Sequence, residues 1–333
     1  MNLCTTGRWL IFLSSSVFTM TATGQAWPDK PIRLIIPLAA GGATDQAARL
    51  MASRLGDELG QQIVPENVTG AAGAIALQQV AKARPDGYTI AATANSLHTI
   101  APHTSRLSYD AIKSFTMIGS YAAFEYVLVT AATSPLTSVD ELVARARKSP
   151  GAVTFGSSGV GTGNYLAGAL LAQQANMQLT AIPYRGGGPA MIDVIAGRTD
   201  FMFDVLGGAL PQIHSGKVRA LGTSGAKRTQ LLPDVPPIAG SVPGYEAGGW
   251  FALIGPAGMP DDIVRKLNEA LNRVQKDPDY RRQLAGLGYQ PLPGSAEELS
   301  KRVNAESEKW KQVVEKLPCD VVPENCKKDD RQQ

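Results

Sequence analysis

Ile32-Arg33-Leu34-Ile35-Ile36-Pro37-Leu38-Ala39-Ala40-Gly41-Gly42-Ala43-Thr44-Asp45 decides the fold. The apolar run from Ile32 to Ile36 reads as a buried strand. Beyond it Ala47, Leu50, Met51 and Leu55 share one face of a helix that the spacing predicts over 44–59. A strand that empties through glycines into a helix leaves backbone N–H groups unpaired at the helix start. Such a place attracts an anion without needing a lysine or arginine. The design returns at Phe155-Gly156-Ser157-Ser158-Gly159-Val160-Gly161-Thr162-Gly163, and a third glycine cluster stands at Tyr184-Arg185-Gly186-Gly187-Gly188. The three read as walls of one carboxylate-binding cleft.

Around them short apolar runs alternate with amphipathic helical patterns. The first rhythm places strands at 62–65 and 88–93, with a small-residue helix over 72–83 stopped by Arg84-Pro85-Asp86-Gly87. It restarts near 126–130. Ser138-Val139-Asp140-Glu141 then opens a helix as a capping box, and strands follow at 154–156, 181–184, 200–203 and 218–223. This is the βαβ rhythm of a parallel sheet covered on both faces. After an apolar strand at 250–255 the pattern is helical. Pro260 with Asp261 and Asp262 starts one helix, and the capping box Ser295-Ala296-Glu297-Glu298 starts a long one. A long terminal helix needs a docking surface, and the reading sends it back to the first domain. The expected organisation is therefore α/β with two domains: 27–125 plus 251–317, and 126–250. Two crossing strands near 126–130 and 250–254 form the hinge, and a charged tail follows from 318 to 333.

The bulk numbers narrow the function. With 44% hydrophobic and 18% charged residues the 333-residue chain can build a sizeable core. A net charge of +3 is too small and too scattered for nucleic acid, and 6% aromatics leave few stacking platforms. Arg8, the apolar stretch 9–20 and Gly24-Gln25-Ala26 read as a cleavable export signal over 1–26, so a periplasmic location is expected. The two cysteines beyond the signal, Cys319 and Cys326, can pair outside the cytoplasm or remain free thiols. Pairing would contribute about 2–3 kcal/mol.

Enzyme templates fail. Gly156-Ser157-Ser158-Gly159 resembles a nucleophile elbow but meets Val160 where glycine is required, and Gly159-Val160-Gly161-Thr162-Gly163 meets Asn164 where a dinucleotide loop needs glycine. None of the three histidines has metal-ligand spacing on a helix. No catalytic residue, metal or cofactor is expected. Binding features survive. Ala40, Gly41 and Gly42 let backbone approach a solute, and Ser158 and Thr162 offer hydroxyl donors. Thr44 and Asp45 occupy the first helical turn, where Asp45 complements the helix dipole or orders the loop. Asp204 follows an apolar strand at the sheet edge where ligands collect, with a surface turn as its plainer reading. Asn95, Ser96 and His98 follow another strand by the same logic, and His98 has a structural hydrogen-bonding role as its rival reading.

An ordered set of motifs resembles one family across nearly all the chain beyond the signal. They are the 37–45 loop, Arg84-Pro85-Asp86-Gly87-Tyr88, Leu107-Ser108-Tyr109-Asp110, the 155–162 and 183–189 stretches, Leu232-Pro233-Asp234-Val235-Pro236 and Gly255-Pro256-Ala257-Gly258. The chain is similar to the Bug receptors, extracytoplasmic solute-binding proteins of tripartite tricarboxylate transporters. The resemblance implies a type II periplasmic-binding-protein fold, two α/β domains closing on a ligand. It implies that the first glycine loop and the 158–162 loop grip a carboxylate. Asp204 matches the family's acidic residue, and Tyr184 and Arg185 match its tyrosine–basic pair. Leu38 stands where an aromatic is common, Tyr165 where many relatives carry histidine, and Glu125 where asparagine or an apolar residue is usual. If Leu38 and Glu125 line the cleft, the distal group of the ligand differs from that of a simple dicarboxylate. The expected partners are a small organic carboxylate and a membrane permease, with the protein a monomer. The alternative is a sensor subunit presenting the same ligand to a membrane kinase.

Overall fold

The structure, a computed structural model, describes residues 27–316 apart from Ala39, Gly42 and Arg185. The stretch 1–26 read as an export signal, Cys319 and Cys326 lie outside the described residues. Strand β1 (Ile32–Ile36) leads to α1 (Ala43–Leu59), then β2 (Ile63–Asn67), α2 (Ala74–Ala81) and β3 (Thr89–Ala94). Two single-turn helices, α3 (Ser96–Thr99) and α4 (Ala101–Thr104), precede a long strand, β4 (Phe115–Ala131). The second rhythm is α5 (Val139–Lys148), β5 (Thr154–Ser157), α6 (Gly163–Gln174), β6 (Thr180–Pro183), α7 (Gly187–Ile195), β7 (Phe201–Val205), α8 (Leu206–His214) and β8 (Val218–Thr223). The chain closes with β9 (Gly248–Pro256), α9 (Asp261–Val274), α10 (Pro278–Gly286) and α11 (Ala296–Val314).

One sheet path, β2-β1-β3-β9-β4-β7-β5-β6, runs through the molecule, with β8 also paired to β4. Strand β4 belongs to both halves. Its residues up to Glu125 pair antiparallel with β9, and from Tyr126 it pairs with β7 and β8. The handover between Glu125 and Tyr126 divides the sheet into two lobes. β4 begins at Phe115, well before the 126–130 stretch read from sequence. Small residues such as Gly119 and Ala122, together with register shifts between Met117 and Gly119 and between Ser120 and Ala122, break the alternation that marks a strand.

Helices cover both faces of each half, so inward and outward strand positions are both apolar. In the first lobe Ile32, Leu34 and Ile36 pack with Met51, Leu55, Leu267 and Leu271, while Ile35 faces Leu77, Trp250 and Val303. In the second, Phe201 and Phe203 join Phe155, Leu166 and Tyr245, while Met202 joins Val127, Val129 and Val194. Helix α11, which the sequence reading sent to the first domain, packs on both lobes. Leu299 and Val303 lie in the first core, and Trp310, Val313 and Val314 in the second. No helix among the described residues is long and apolar enough to cross a membrane.

Candidate functional site

Strands β5, β6 and β7 are parallel, so the helices that follow them begin at one edge of the sheet. Helices α6, α7 and α8 have N-caps Thr162, Gly186 and Val205, and none of these caps receives a side-chain hydrogen bond from its helix. Their first N–H groups give the second lobe a positive rim. The first lobe faces it with the 37–45 loop and the corner after β3. Two contacts between the lobes flank this edge. Gly161 lies beside Thr104, where a Cβ would touch that side chain at 3.8 Å, and Gly207 lies against the backbone of Leu287 and Gly288, where a Cβ would collide with the Leu287 carbonyl.

In the second lobe Asn164 organises the loop. Its Nδ2 donates to Ser158 Oγ at 2.8 Å and to the Phe203 carbonyl at 3.3 Å, and its Oδ1 accepts from Ser158 N at 3.3 Å. Thr162 Oγ1 has the Gly159 carbonyl and Asn164 Oδ1 as acceptors, each at 2.6 Å. The Thr162 hydroxyl is thus tied into the loop, while Ser158 Oγ accepts and keeps its own proton to donate, and Asn164, noticed in the sequence only for spoiling a dinucleotide motif, sets their direction. Asp204 ends β7 beside the starts of α7 and α8. Its Oδ1 accepts from Val205 N at 2.9 Å, and Cβ atoms on Gly187 and Gly208 would come within 3.7 and 3.6 Å of its carboxyl oxygens. Burial pushes its pKa up to about 6, opposed by the Val205 amide. Tyr126 and Tyr289 both feel its charge. Tyr126 was foreseen only as a strand residue. It reaches the start of α6 so closely that any Cβ on Gly163 would meet its hydroxyl.

In the first lobe Gly41 has φ of +79°, a backbone that side-chain-bearing residues adopt at a cost. Its N–H donates to Asp45 Oδ2 at 2.9 Å. Asp45 Oδ1 takes hydrogen bonds from Arg49 Nε at 2.8 Å and Asn67 Nδ2 at 2.9 Å, and Asn67 also holds the Leu38 carbonyl at 2.9 Å. Burial disfavours the Asp45 charge, but the Gly41 amide, Asn67 and Arg49 together hold its carboxyl below the usual range. Asp45 is therefore the clamp of this loop, and the Gly41 amide expected to face a ligand is engaged by it. Ala40 is exposed, Leu38 and Ser96 are half-buried, and Thr44 is buried. Gly42 and Arg185 lie outside the described residues.

One further expectation is corrected. His98 is fully buried, with Nδ1 on the Ala111 carbonyl at 2.6 Å and Nε2 on Thr93 Oγ1 at 2.9 Å. Burial lowers its pKa to about 4, so it is a neutral structural group and no wall of the cleft. Tyr184 turns its hydroxyl to Asp193 of α7 at 2.7 Å, and burial with that carboxylate lifts its pKa to about 12. Glu125 does not join the amide-lined rim either. It accepts from Gly225 N at 3.2 Å and lines a separate 280 Å³ cavity with Trp250 and Glu306. Tyr165 is a core residue packed on Phe155 at 5.9 Å between ring centroids. Among the described residues no group of three or more His, Cys, Asp or Glu is placed to hold a metal ion.

Residues 47–318 match the family model described as tripartite tricarboxylate transporter family receptor. The chain belongs to this receptor family. A Pseudomonas sp. (strain P51) relative, a UPF0065 protein in the tcbD-tcbE intergenic region, is 36% identical over 292 residues, 87% of each chain. Among solved structures, the receptor is similar to R. palustris Rpa4515 with adipate, at 33% identity and TM-score 0.77 over 86% of this chain and 97% of that one. It is also similar to MatC from Rhodopseudomonas palustris with bound malate, at 30% identity and TM-score 0.74 over 86% of this chain and 100% of that one. The family is one of extracytoplasmic solute-binding receptors, and the fold of this receptor is the mixed α/β, two-lobed fold of those periplasmic proteins.

Proposed function

We propose that this receptor captures a small organic carboxylate between its lobes in the periplasm and delivers it to a tripartite transporter permease. One observation carries the reading: the starts of α6, α7 and α8, gathered at one sheet edge, are left without side-chain caps. A ligand carboxylate there would complete three helices at once. Charge-assisted hydrogen bonds of this kind contribute about 1.5–3 kcal/mol each in a partly dry site. The similar structures with malate and adipate support the ligand class. Lobe closure about the Glu125–Tyr126 handover brings the 37–45 loop to the bound solute, and the closed form is what a permease reads. The lobes correspond to residues 27–125 with 251–317, and 126–250, joined at that handover. No observation favours the sensor alternative.

The test is a thermal-shift and calorimetry panel of mono-, di- and tricarboxylates on the purified protein. A true ligand at about 100 times Kd stabilises by roughly 2.7 kcal/mol. A panel in which amines or sugars shift the midpoint and no carboxylate does would end this reading.

A further inference from the structure

Helix α11 is anchored at both ends in different cores, Leu299 and Val303 in one lobe and Trp310, Val313 and Val314 in the other. The turn between these anchors makes three ties. Glu306 Oε2 accepts from Trp250 Nε1 of β9 at 2.9 Å. Ser307 Oγ meets His103 Nε2 of α4 at 3.0 Å, and Lys309 Nζ donates to the Glu246 carbonyl at 2.8 Å, just before β9. The Asn95 side chain also lies near the Glu306 carboxylate and favours its charged form.

Asn95 is the corner where the cleft-side end of β3 meets the hinge. Its N–H donates to the Trp250 carbonyl at 3.0 Å, and its side chain donates to the Gly248 carbonyl at 3.4 Å. Its own carbonyl accepts the His98 and Thr99 N–H groups at 2.9 Å, which starts α3 at Ser96. Through Trp250, the Glu306 carboxylate of α11 is therefore linked to the hinge strand and, by way of it, to the cleft corner. Beside it a cavity of 280 Å³ is lined by Glu125, Gly249, Trp250, Glu306, Lys309 and Trp310. A void against a glycine-bearing strand gives the hinge room to move on this side.

Packing alone does not account for Glu306. Burial lifts its carboxyl above the ordinary range, and Trp250, Arg302 and Asn95 act against that. A half-dry carboxylate is costly to keep unless its hydrogen bonds serve an arrangement.

We propose that Glu306 is a positioning residue for ligand capture: from behind the hinge it fixes Trp250, and through Trp250 the angle between the lobes and the Asn95–Ser96 corner of the cleft. This rests on the carboxylate-receptor reading above. Glu306→Ala frees the Trp250 donor. Glu306→Gln keeps an acceptor for it but removes the charge. Trp250→Phe removes one donor and keeps most of the ring.

The experiment combines small-angle scattering of the ligand-free protein with calorimetry, using malate and adipate as probes. The expected result for Glu306→Ala is a wider lobe separation and at least a tenfold weaker affinity for whichever acid binds the wild type better, with a thermal midpoint within about 4 °C of wild type. Glu306→Gln should fall between. Trp250→Phe should add little once Glu306 is gone, as residues in one network do. Unchanged separation and affinity in Glu306→Ala would overturn the proposal, as would affinity losses that merely follow losses of midpoint across the three variants. If the wild type binds neither acid nor any other carboxylate, the functional reading fails, and the scattering comparison alone still decides whether Glu306 sets the lobe angle.

Discussion

Two sets of helix starts in this molecule are treated in opposite ways. Helices α5, α10 and α11 begin with Ser138, Asp277 and Ser295, and each side chain accepts a hydrogen bond from its own first turn. Ser295 and Glu298 complete a reciprocal capping box. Helices α6, α7 and α8, which follow the parallel strands β5, β6 and β7, receive nothing of the kind. Side-chain caps are absent at α2 and α9 as well, so what sets α6, α7 and α8 apart is that their uncapped starts converge at one sheet edge. Under the proposed function these uncapped starts serve the ligand, where a cap would contribute about 1 kcal/mol to folding.

The sharpest way to break the contrast is to install a cap at a bare start. Thr162→Asp places a carboxylate at the N-cap of α6. Carboxylate affinity measured by calorimetry should fall about a hundredfold, roughly 2.7 kcal/mol, while the thermal midpoint holds or rises slightly. Equal affinity in this variant would remove α6 from the site.

A smaller effect comes from Asp204, the acid that already sits beside the bare starts. Its folded pKa of about 6 lies above its ordinary value of 3.8. As pH falls through about 6 it loses its charge and its repulsion of a ligand carboxylate, while simple carboxylic acids stay mostly ionised above about pH 5. Affinity should rise by up to about tenfold between neutral pH and pH 5.5. Asp204→Asn should flatten that profile. The sign for folding runs the same way. The raised pKa favours the protonated native state, so its stabilising contribution is full below 3.8 and is lost as pH rises through about 6. The smallest expected effect on binding is none. Ser295→Ala opens the capped start of α11, lowers stability by about 1 kcal/mol and the midpoint by about 2–4 °C, and leaves affinity unchanged. Denaturant melts paired with calorimetry check both halves.

The strand–glycine–helix units and the capping boxes were legible in the sequence because they are local. Ser295 and Glu298 are three residues apart, and their partnership needs no tertiary information. Ser138 caps as its pattern implies, yet the Glu141 carboxylate turns to Thr137 rather than back to Ser138. Roles that depend on distant partners were not legible. His98 is fixed by the Ala111 carbonyl, Tyr184 by Asp193, and Glu125 by the Gly225 amide, and no periodicity reveals these. Asn164 and Tyr126 gave no signal, because each earns its place only when α6 starts beside β4 and β7. Asp45 was read as a dipole or loop-ordering residue, and Asn67 and Arg49 decide for the loop.

The meeting of Gly207 with Leu287 and Gly288 has a consequence for cargo of different sizes. Main chain rests on main chain there, with no side chain to compress. Under the proposed closure it would act as a doorstop, stopping the two halves at one fixed limit whatever molecule they enclose. Short and long acids would then be distinguished by how they fill the interior, while the outline shown to a membrane partner stayed constant.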